Sequence, residues 1–156
     1  MSSAVEFDKL SKTEKLDRMR HSCSHVLAQA VKDMFPEAKL GIGPTIENGF
    51  YYDFDLPRTL IPEDLGILEK KMKNIIKEKQ TFDYIEEPAE KSKEFLLSKN
   101  QPFKAELITD LMKNKGLTVV SFYENKDKNG NLKFWDLCEG PHVEKTNQIG
   151  PFKLTK

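Results

Sequence analysis

Two short segments that lie far apart in the chain contain all three of its histidines, and together they constrain the fold more than any other feature. The first runs from His21 to His25, and the second runs from Cys138 to His142, more than a hundred residues later. Three imidazoles and a thiol can hold a tetrahedral metal ion or move protons around a bound water. The pattern therefore predicts a fold that brings the two segments together to form an active site.

The spacing within each segment leaves the chemistry of this site open. His21 and His25 are one helical turn apart, so their rings can converge on one point. Metalloproteases use the same spacing but need a glutamate after the first histidine, and here that position is Ser22. Paired Cys-x-x-Cys zinc spacing is also absent. The donors suit Zn²⁺, and the alternative is a site that requires no metal.

Length, charge and the first residues exclude several classes of protein. A chain of 156 residues predicts a single domain, and its 25 basic and 25 acidic side chains give no net charge that would indicate nucleic-acid binding. The amino terminus has no basic and apolar regions typical of a signal peptide, and the chain has no apolar run of membrane-spanning length. We therefore expect a cytoplasmic protein without a membrane partner.

The order of elements predicts an α+β fold, with an antiparallel sheet and helices packed on one side. Residues 1–12 are expected to form an N-terminal arm. Apolar residues at helical spacing predict a helix over residues 13–35, which ends before Pro36. The remaining predictions are a hairpin over 40–54, helices over 62–79, 88–97 and 102–115, strands over 82–86, 117–123 and 132–138, and an edge strand over 149–154.

Periodicity also places individual side chains. The apolar stripe of the first helix centres on Cys23, so His21 and His25 lie on the opposite face and Cys23 points into the core. In the last predicted strand, a period of two puts Asp136 and Cys138 side by side. Gly140 and Pro141 break that strand and let His142 fold back toward them.

Three blocks of sequence resemble the editing domain of bacterial-type threonyl-tRNA synthetases, which is shared more distantly with alanyl-tRNA synthetases. These blocks are Leu40–Asp53, Pro62–Leu65 and Asp136–Val143. The resemblance covers residues 13–156 and implies one tRNA-editing domain, with no ubiquitin-like domain before it and no aminoacylation core or ATP site after it. Whether such a chain is a natural short protein or a piece of a synthetase stays open.

The resemblance implies an ester hydrolase that removes serine from tRNA(Thr), as part of threonine–tRNA ligase function in protein biosynthesis. Its partners would be the 3′ acceptor end of the tRNA and the rest of a synthetase chain, and water would be the nucleophile. The implied catalytic residues are His21, His25, Lys104, Asp136, Cys138 and His142. If zinc is bound, its ligands would be His21, His25, Cys138 and His142.

The implied roles are hypotheses about this one site. One of His21 or His25 would orient or deprotonate water, and Lys104 would stabilise negative charge. Asp136 would hold a histidine tautomer or the amino group of the substrate. Phe50, Tyr51 and Phe122 are candidates for stacking on the terminal adenine, and the alternative is that they belong to the core, as aromatic residues at strand spacing more often do.

Two other functions fit the same residues. One is an alanyl-type free-standing tRNA-editing protein, and the other is a non-catalytic, zinc-stabilised module that binds tRNA. One position departs from the family pattern, since Glu139 follows the motif cysteine where the family has arginine. This reverses a charge beside the site.

Overall fold

The computed structural model describes residues 7–155. Its helices are α1 (Lys12–Met34), α2 (Pro62–Lys77), α3 (Ala89–Ser98) and α4 (Pro102–Lys115). Its strands are β1 (Lys39–Leu40), β2 (Thr45–Ile46), β3 (Gly49–Phe50), β4 (Phe54–Asp55), β5 (Thr81–Pro88), β6 (Val119–Lys126) and β7 (Leu132–Leu137). Every strand pairing is antiparallel. The predicted α+β class is confirmed.

Helix α1 begins at a capping box and ends one residue before the predicted end. Ser11 Oγ accepts the backbone N–H of Glu14 at 3.1 Å, and the Glu14 carboxylate accepts the backbone N–H of Ser11 at 3.4 Å. These two bonds satisfy donors that the first turn leaves free. Pro36 cannot continue the helix, which ends at Met34.

The middle of α1 is buried on two faces. One face carries Cys23, Val26 and Val31 into a core shared with α2. The other face lies against the three-stranded sheet, where Ala28 packs beside Phe134 of β7. The histidines therefore do point away from the Cys23 stripe, but that face is covered by the sheet.

Strands β5, β6 and β7 form this sheet in the order β5-β6-β7. Helices α3 and α4 pack on one face, where they bury Val120, Phe122 and Leu137. The prediction had placed the helices on one side of the sheet only. The structure adds α1 on the opposite face, because residues that alternate with these, such as Asn125 and Phe134, point that way.

The predicted hairpin between α1 and α2 is present as two short pairs, β1 with β4 and β2 with β3. Residues 47 and 48 form the turn between β2 and β3. The ladder breaks near Gly43 and Pro44. Proline has no N–H to donate, and a side chain at Gly43 would overlap the Tyr52 ring.

Both ends of the described chain differ from the sequence-based expectation. Residues 1–6 of the expected arm lie outside the described residues, and Phe7 and Leu10 pack into the core instead of extending from it. The expected edge strand at the end of the chain is wrong, since 149–154 joins no sheet in the part described. Pro151 has no backbone N–H to donate to a neighbouring strand, and the backbone N–H of Leu154 donates to the Glu69 carboxylate at 2.7 Å. No helix in residues 7–155 is long and apolar enough to cross a membrane.

Candidate active site

The two histidine-bearing segments meet where α1 passes the end of β7. Cys138 Sγ lies 3.3 Å from His21 Nε2 and 3.3 Å from His142 Nε2. The rings of His21 and His142 are stacked, with centroids 4.2 Å apart. Gly140 adopts φ 77°, a left-handed conformation that favours glycine, in the turn that directs His142 back to the thiol. The predicted meeting of these segments is confirmed.

The Nδ1 atom of each of these two histidines forms a hydrogen bond within the protein. His21 Nδ1 lies 3.0 Å from the Pro141 carbonyl oxygen, to which it donates. His142 Nδ1 lies 3.0 Å from Ser22 Oγ, which also accepts the Val143 N–H at 2.9 Å. Such partners fix the orientation of an imidazole and, through its tautomer, decide which nitrogen is free. Both Nε2 atoms therefore face the thiol.

His25 has a different environment from the other two. Its side chain is buried, its ring packs edge-on against Phe134, and its Nε2 forms a hydrogen bond with Asn125 Oδ1. Because an amide oxygen only accepts, His25 Nε2 carries the proton. The donor atoms that converge within 4.8 Å in the described chain belong to His21, Cys138 and His142. His25 therefore lies outside the group of converging donors.

Burial favours the neutral form of every titratable donor in the cluster. It lowers the pKa of His21, lowers the pKa of His25 to about 4, and lowers the pKa of His142 well below its usual value. Burial also raises the pKa of the Cys138 thiol to about 12. At neutral pH the metal-free cluster thus holds neutral imidazoles and a protonated thiol.

A second group of polar side chains lies beside the first. Lys104, in the first turn of α4, places Nζ 3.2 Å from Asp136 Oδ1 on β7, and each side chain is only 5% exposed. The Tyr52 hydroxyl donates to Asp136 Oδ2 at 2.6 Å. Asp136 and Lys104 act on the pKa of His21 in opposite directions, the first raising it and the second lowering it. The two groups are therefore electrostatically coupled.

Asp136 does not hold a histidine tautomer, as one of its two implied roles required. Pro141 and Ser22 perform that function for His21 and His142. Asp136 Oδ1 is buried and has Lys104 Nζ as its charged partner at 3.2 Å, and it accepts no hydrogen bond from the described residues.

Access to the site is from the side of His21 and Cys138. These two side chains are half-buried, whereas those of His25, Lys104, Asp136 and His142 are buried. Cys138 also lines a cavity of about 480 Å³, together with Glu139. A substrate would contact His21 first.

The donor set fits a zinc ion. Two imidazole nitrogens and one thiolate are ligands that Zn²⁺ prefers, and three protein ligands leave a fourth position for water. Pro141, Ser22 and the Gly140 N–H, which lies 3.3 Å from Cys138 Sγ, supply the outer hydrogen bonds typical of metal ligands.

Sequence reasoning missed three polar partners in this site. Ser22, Tyr52 and Asn125 each bind a predicted site residue. The predicted strand ended at residue 123, so Asn125 of β6 lay outside it and nothing indicated His25 as its partner. Of the three candidate stacking rings, Phe122 is a core residue, 4% exposed between the sheet and α3–α4, as is more usual for an aromatic residue at strand spacing.

Comparisons with known proteins find relatives among the tRNA synthetases. The threonyl and alanyl tRNA synthetase second additional domain matches residues 117–156, which contain β6, β7 and the Cys138–His142 segment. The chain is 47% identical over 138 residues to a threonine–tRNA ligase of Acetivibrio thermocellus, covering 88% of this chain and 20% of that protein. It is 48% identical over 145 residues to the enzyme of Mycobacterium sp. strain KMS, with 88% and 21% covered.

A third relative, the threonine–tRNA ligase of Dehalococcoides mccartyi, is 46% identical over 151 residues, which is 97% of this chain and 24% of the relative. The chain thus spans about a fifth to a quarter of the length of the relatives that it matches. It is homologous to part of bacterial threonine–tRNA ligases and contains the second additional domain described for threonyl and alanyl tRNA synthetases.

Proposed function

We propose that this chain hydrolyses the ester bond of seryl-tRNA(Thr), the product that arises when serine is attached in place of threonine. The observation that carries the proposal is the convergence of His21, Cys138 and His142 beside the Lys104–Asp136 pair. Homology to threonine–tRNA ligases supports a tRNA as the substrate. Residues 13–156 are proposed as the editing domain, acting in the cytoplasm.

A second site is needed because serine and threonine differ by one methyl group. One methyl changes binding by only about 1–3 kcal/mol, so a synthetic site alone passes too many errors. A hydrolytic site that accepts serine and excludes the extra methyl multiplies the accuracy. A compact, mostly buried cluster is suited to such exclusion.

The reaction requires water to attack the ester carbonyl carbon. A base takes one proton from the water, the carbon–oxygen bond to the ribose breaks, and the ribose oxygen gains a proton. The products are free serine and tRNA with a free terminal hydroxyl. General-base catalysis and stabilisation of the oxyanion both lower this barrier.

We assign to His21 the role of orienting or deprotonating the attacking water. Its Nδ1 donates to Pro141, so in the neutral ring Nε2 carries a lone pair, which lies 3.3 Å from the Cys138 thiol at the half-buried edge of the site. His25 is less suited, because its Nε2 is bound to Asn125 and its ring is buried. Of the two candidate histidines, His21 therefore acts on the water and His25 supports His142.

Lys104 and Asp136 are assigned to the substrate. The ammonium of Lys104 would stabilise negative charge on the carbonyl or ribose oxygen. Asp136 Oδ1, which accepts no hydrogen bond from the described residues, would accept one from the amino group of serine. Cys138 and His142 shape the pocket around these groups.

Zinc is a proposed, not a required, component of this site. If bound, it would be held by His21, Cys138 and His142 and would supply a Lewis acid for the carbonyl oxygen or the water. His25, included in the sequence-based ligand set, donates through Nε2 to Asn125 and is assigned to the supporting shell.

The test is deacylation of two mischarged tRNAs by the same polypeptide. We expect faster release of serine from seryl-tRNA(Thr) than from seryl-tRNA(Ala), with threonyl-tRNA(Thr) left intact. Preference for the alanine tRNA would indicate an alanyl-type editor. The converging donors of His21, Cys138 and His142 also suit the other candidate, a non-catalytic, zinc-stabilised module, which would bind both tRNAs and release no amino acid.

A further inference from the structure

The stacked rings of His21 and His142 both turn Nε2 towards the Cys138 thiol, but their Nδ1 atoms meet partners of different kinds. His21 Nδ1 lies 3.0 Å from the Pro141 carbonyl oxygen, which only accepts hydrogen bonds. His142 Nδ1 lies 3.0 Å from Ser22 Oγ, and a hydroxyl group both donates and accepts. The direction of this second hydrogen bond therefore decides which nitrogen of His142 carries the proton.

The surroundings of Ser22 decide that direction. Its side chain is 0% exposed, so water cannot take the hydroxyl proton. The hydroxyl oxygen already accepts the Val143 N–H at 2.9 Å, and within the described chain His142 Nδ1 is the only acceptor that contacts the hydroxyl. A buried donor without an acceptor is destabilising, so the hydroxyl of Ser22 donates to His142 Nδ1.

A donor at Nδ1 leaves the proton of the His142 ring on Nε2. Burial lowers the pKa of His142 well below its usual value, so at neutral pH the ring is neutral and carries one proton. His142 Nε2 lies 3.3 Å from Cys138 Sγ, which also accepts the Gly140 N–H at 3.3 Å. The sulfur thus accepts two N–H groups, and its own proton faces His21 Nε2, at 3.3 Å.

We propose that Ser22 is a positioning residue that directs a chain of hydrogen bonds through the site. Each member donates to the next, in the order Ser22, His142, Cys138, His21 and the Pro141 carbonyl. The two stacked histidines are therefore unequal, since His142 donates through Nε2 and His21 accepts there. A thiol is a weak donor, so the attacking water displaces it from His21 Nε2. This last step rests on the proposed function, whereas the order of the donors does not.

Zinc would reverse the first link of this chain. A metal ligand needs a nitrogen without a proton, so ligation through His142 Nε2 would move the ring proton to Nδ1. Ser22 Oγ would then accept from both His142 and Val143, and its buried hydroxyl proton would lose its acceptor. The order of the donors is therefore a property of the metal-free protein and is measured after treatment with a chelator.

The experiment is a long-range proton–nitrogen NMR correlation of the histidine rings at neutral pH. This spectrum distinguishes protonated from unprotonated ring nitrogens, and the chain has only 3 histidines to assign. We expect the proton of His142 on Nε2 and the proton of His21 on Nδ1. A His142 proton on Nδ1 in the metal-free parent overturns the proposal, and this measurement requires no variant to fold.

Ser22→Ala tests whether the hydroxyl sets the position of the proton. Alanine keeps the helix, and we expect His142 ring shifts that report a mixture of the two tautomers, because the donor that excludes one of them is gone. Ser24→Ala is the matched control, since Ser24 is 1% exposed on the same helix but donates to the Gly43 carbonyl at 2.7 Å. Parental shifts in Ser22→Ala, or the same mixture in Ser24→Ala, contradict the role of Ser22.

The effect on catalysis is measured separately, as single-turnover release of serine from seryl-tRNA(Thr). Ser22→Ala should lower the rate by about tenfold, as is typical for the loss of an outer hydrogen-bond partner, while tRNA affinity stays within error of the parent. A parental rate together with mixed tautomers would contradict the catalytic importance of the chain. A parent that has the expected tautomers and releases no serine would confirm the order of the donors and contradict the proposed function.

Discussion

Lys104 and Asp136 form an ion pair at 3.2 Å in which each side chain is only 5% exposed. A buried charge that loses its partner is costly, typically by 3–5 kcal/mol. We therefore predict that Lys104→Met lowers the free energy of unfolding by about 3 kcal/mol or more, measured by urea denaturation. Lys104→Met/Asp136→Asn should recover much of that loss. Equal stability of the single and double variants would mean that the pair carries little coupling.

Metal binding should depend on one cysteine and not on the other. Cys138 Sγ lies among the donor atoms, whereas Cys23 is buried in the α1–α2 core. We predict that Cys138→Ala lowers zinc affinity by at least a hundredfold, measured by competition with a chromogenic chelator, because it removes one of three ligands.

Cys23→Ala is the matched control for this measurement and should keep the affinity of the parent. His25→Asn should also keep most of the zinc affinity, because His25 lies outside the group of converging donors. A loss in His25→Asn as large as in Cys138→Ala would restore the four-ligand site that the sequence alone indicated.

A reversed charge beside the site should alter binding of tRNA. Glu139 is exposed next to Cys138 and helps to raise the pKa of that thiol. We predict that Glu139→Arg tightens binding of the tRNA acceptor end and steepens its salt dependence, because a new cation contacts phosphate. Filter binding at several salt concentrations measures this, with thermal stability expected to be unchanged. Weaker binding would indicate that the acceptor end passes elsewhere.

Acid should destabilise the fold through Asp64 at the start of α2. The Arg58 guanidinium, with help from the Ile61 N–H, lowers the pKa of Asp64 from 3.8 to about 2. The folded form therefore keeps this carboxylate charged where the unfolded form does not. Its stabilising contribution is full above pH 3.8 and is lost as the pH falls through about 2.

Asp64→Asn should remove that part of the pH dependence and lower the melting temperature at neutral pH, measured by circular dichroism. Asp110→Asn, at an exposed position on α4, is the control and should change neither. If the melting temperatures of the parent and of Asp64→Asn fell in parallel from pH 4 to pH 2, this would contradict the assignment.

The features that local sequence determines were predictable. Proline and glycine set the ends of α1 and α4, with Gly116 at φ 64° after the last turn of α4. Alternation placed Asp136 beside Cys138, and the motifs identified which histidines belong together. These properties depend on residues close in the chain, where periodicity and capping operate.

The features that depend on packing between distant elements were not predictable. His25 is buried because the sheet covers a second face of α1. The polar residues around His25 in the sequence gave no indication of this burial. The partners of His142 and Asp136, Ser22 and Tyr52, are set by the register of α1 and the hairpin against β7. Lys104 was found only through the family resemblance, since nothing in its local sequence distinguishes it from an exposed lysine.

The central claim is that His21 acts on the water that cleaves a seryl ester, and single-turnover deacylation of seryl-tRNA(Thr) tests it most directly. We predict that His21→Ala lowers the rate at least a hundredfold while tRNA affinity and melting temperature stay within error of the parent, and that Cys23→Ala cleaves at the parental rate. A His21→Ala protein that binds the tRNA and releases serine at the parental rate would contradict the account.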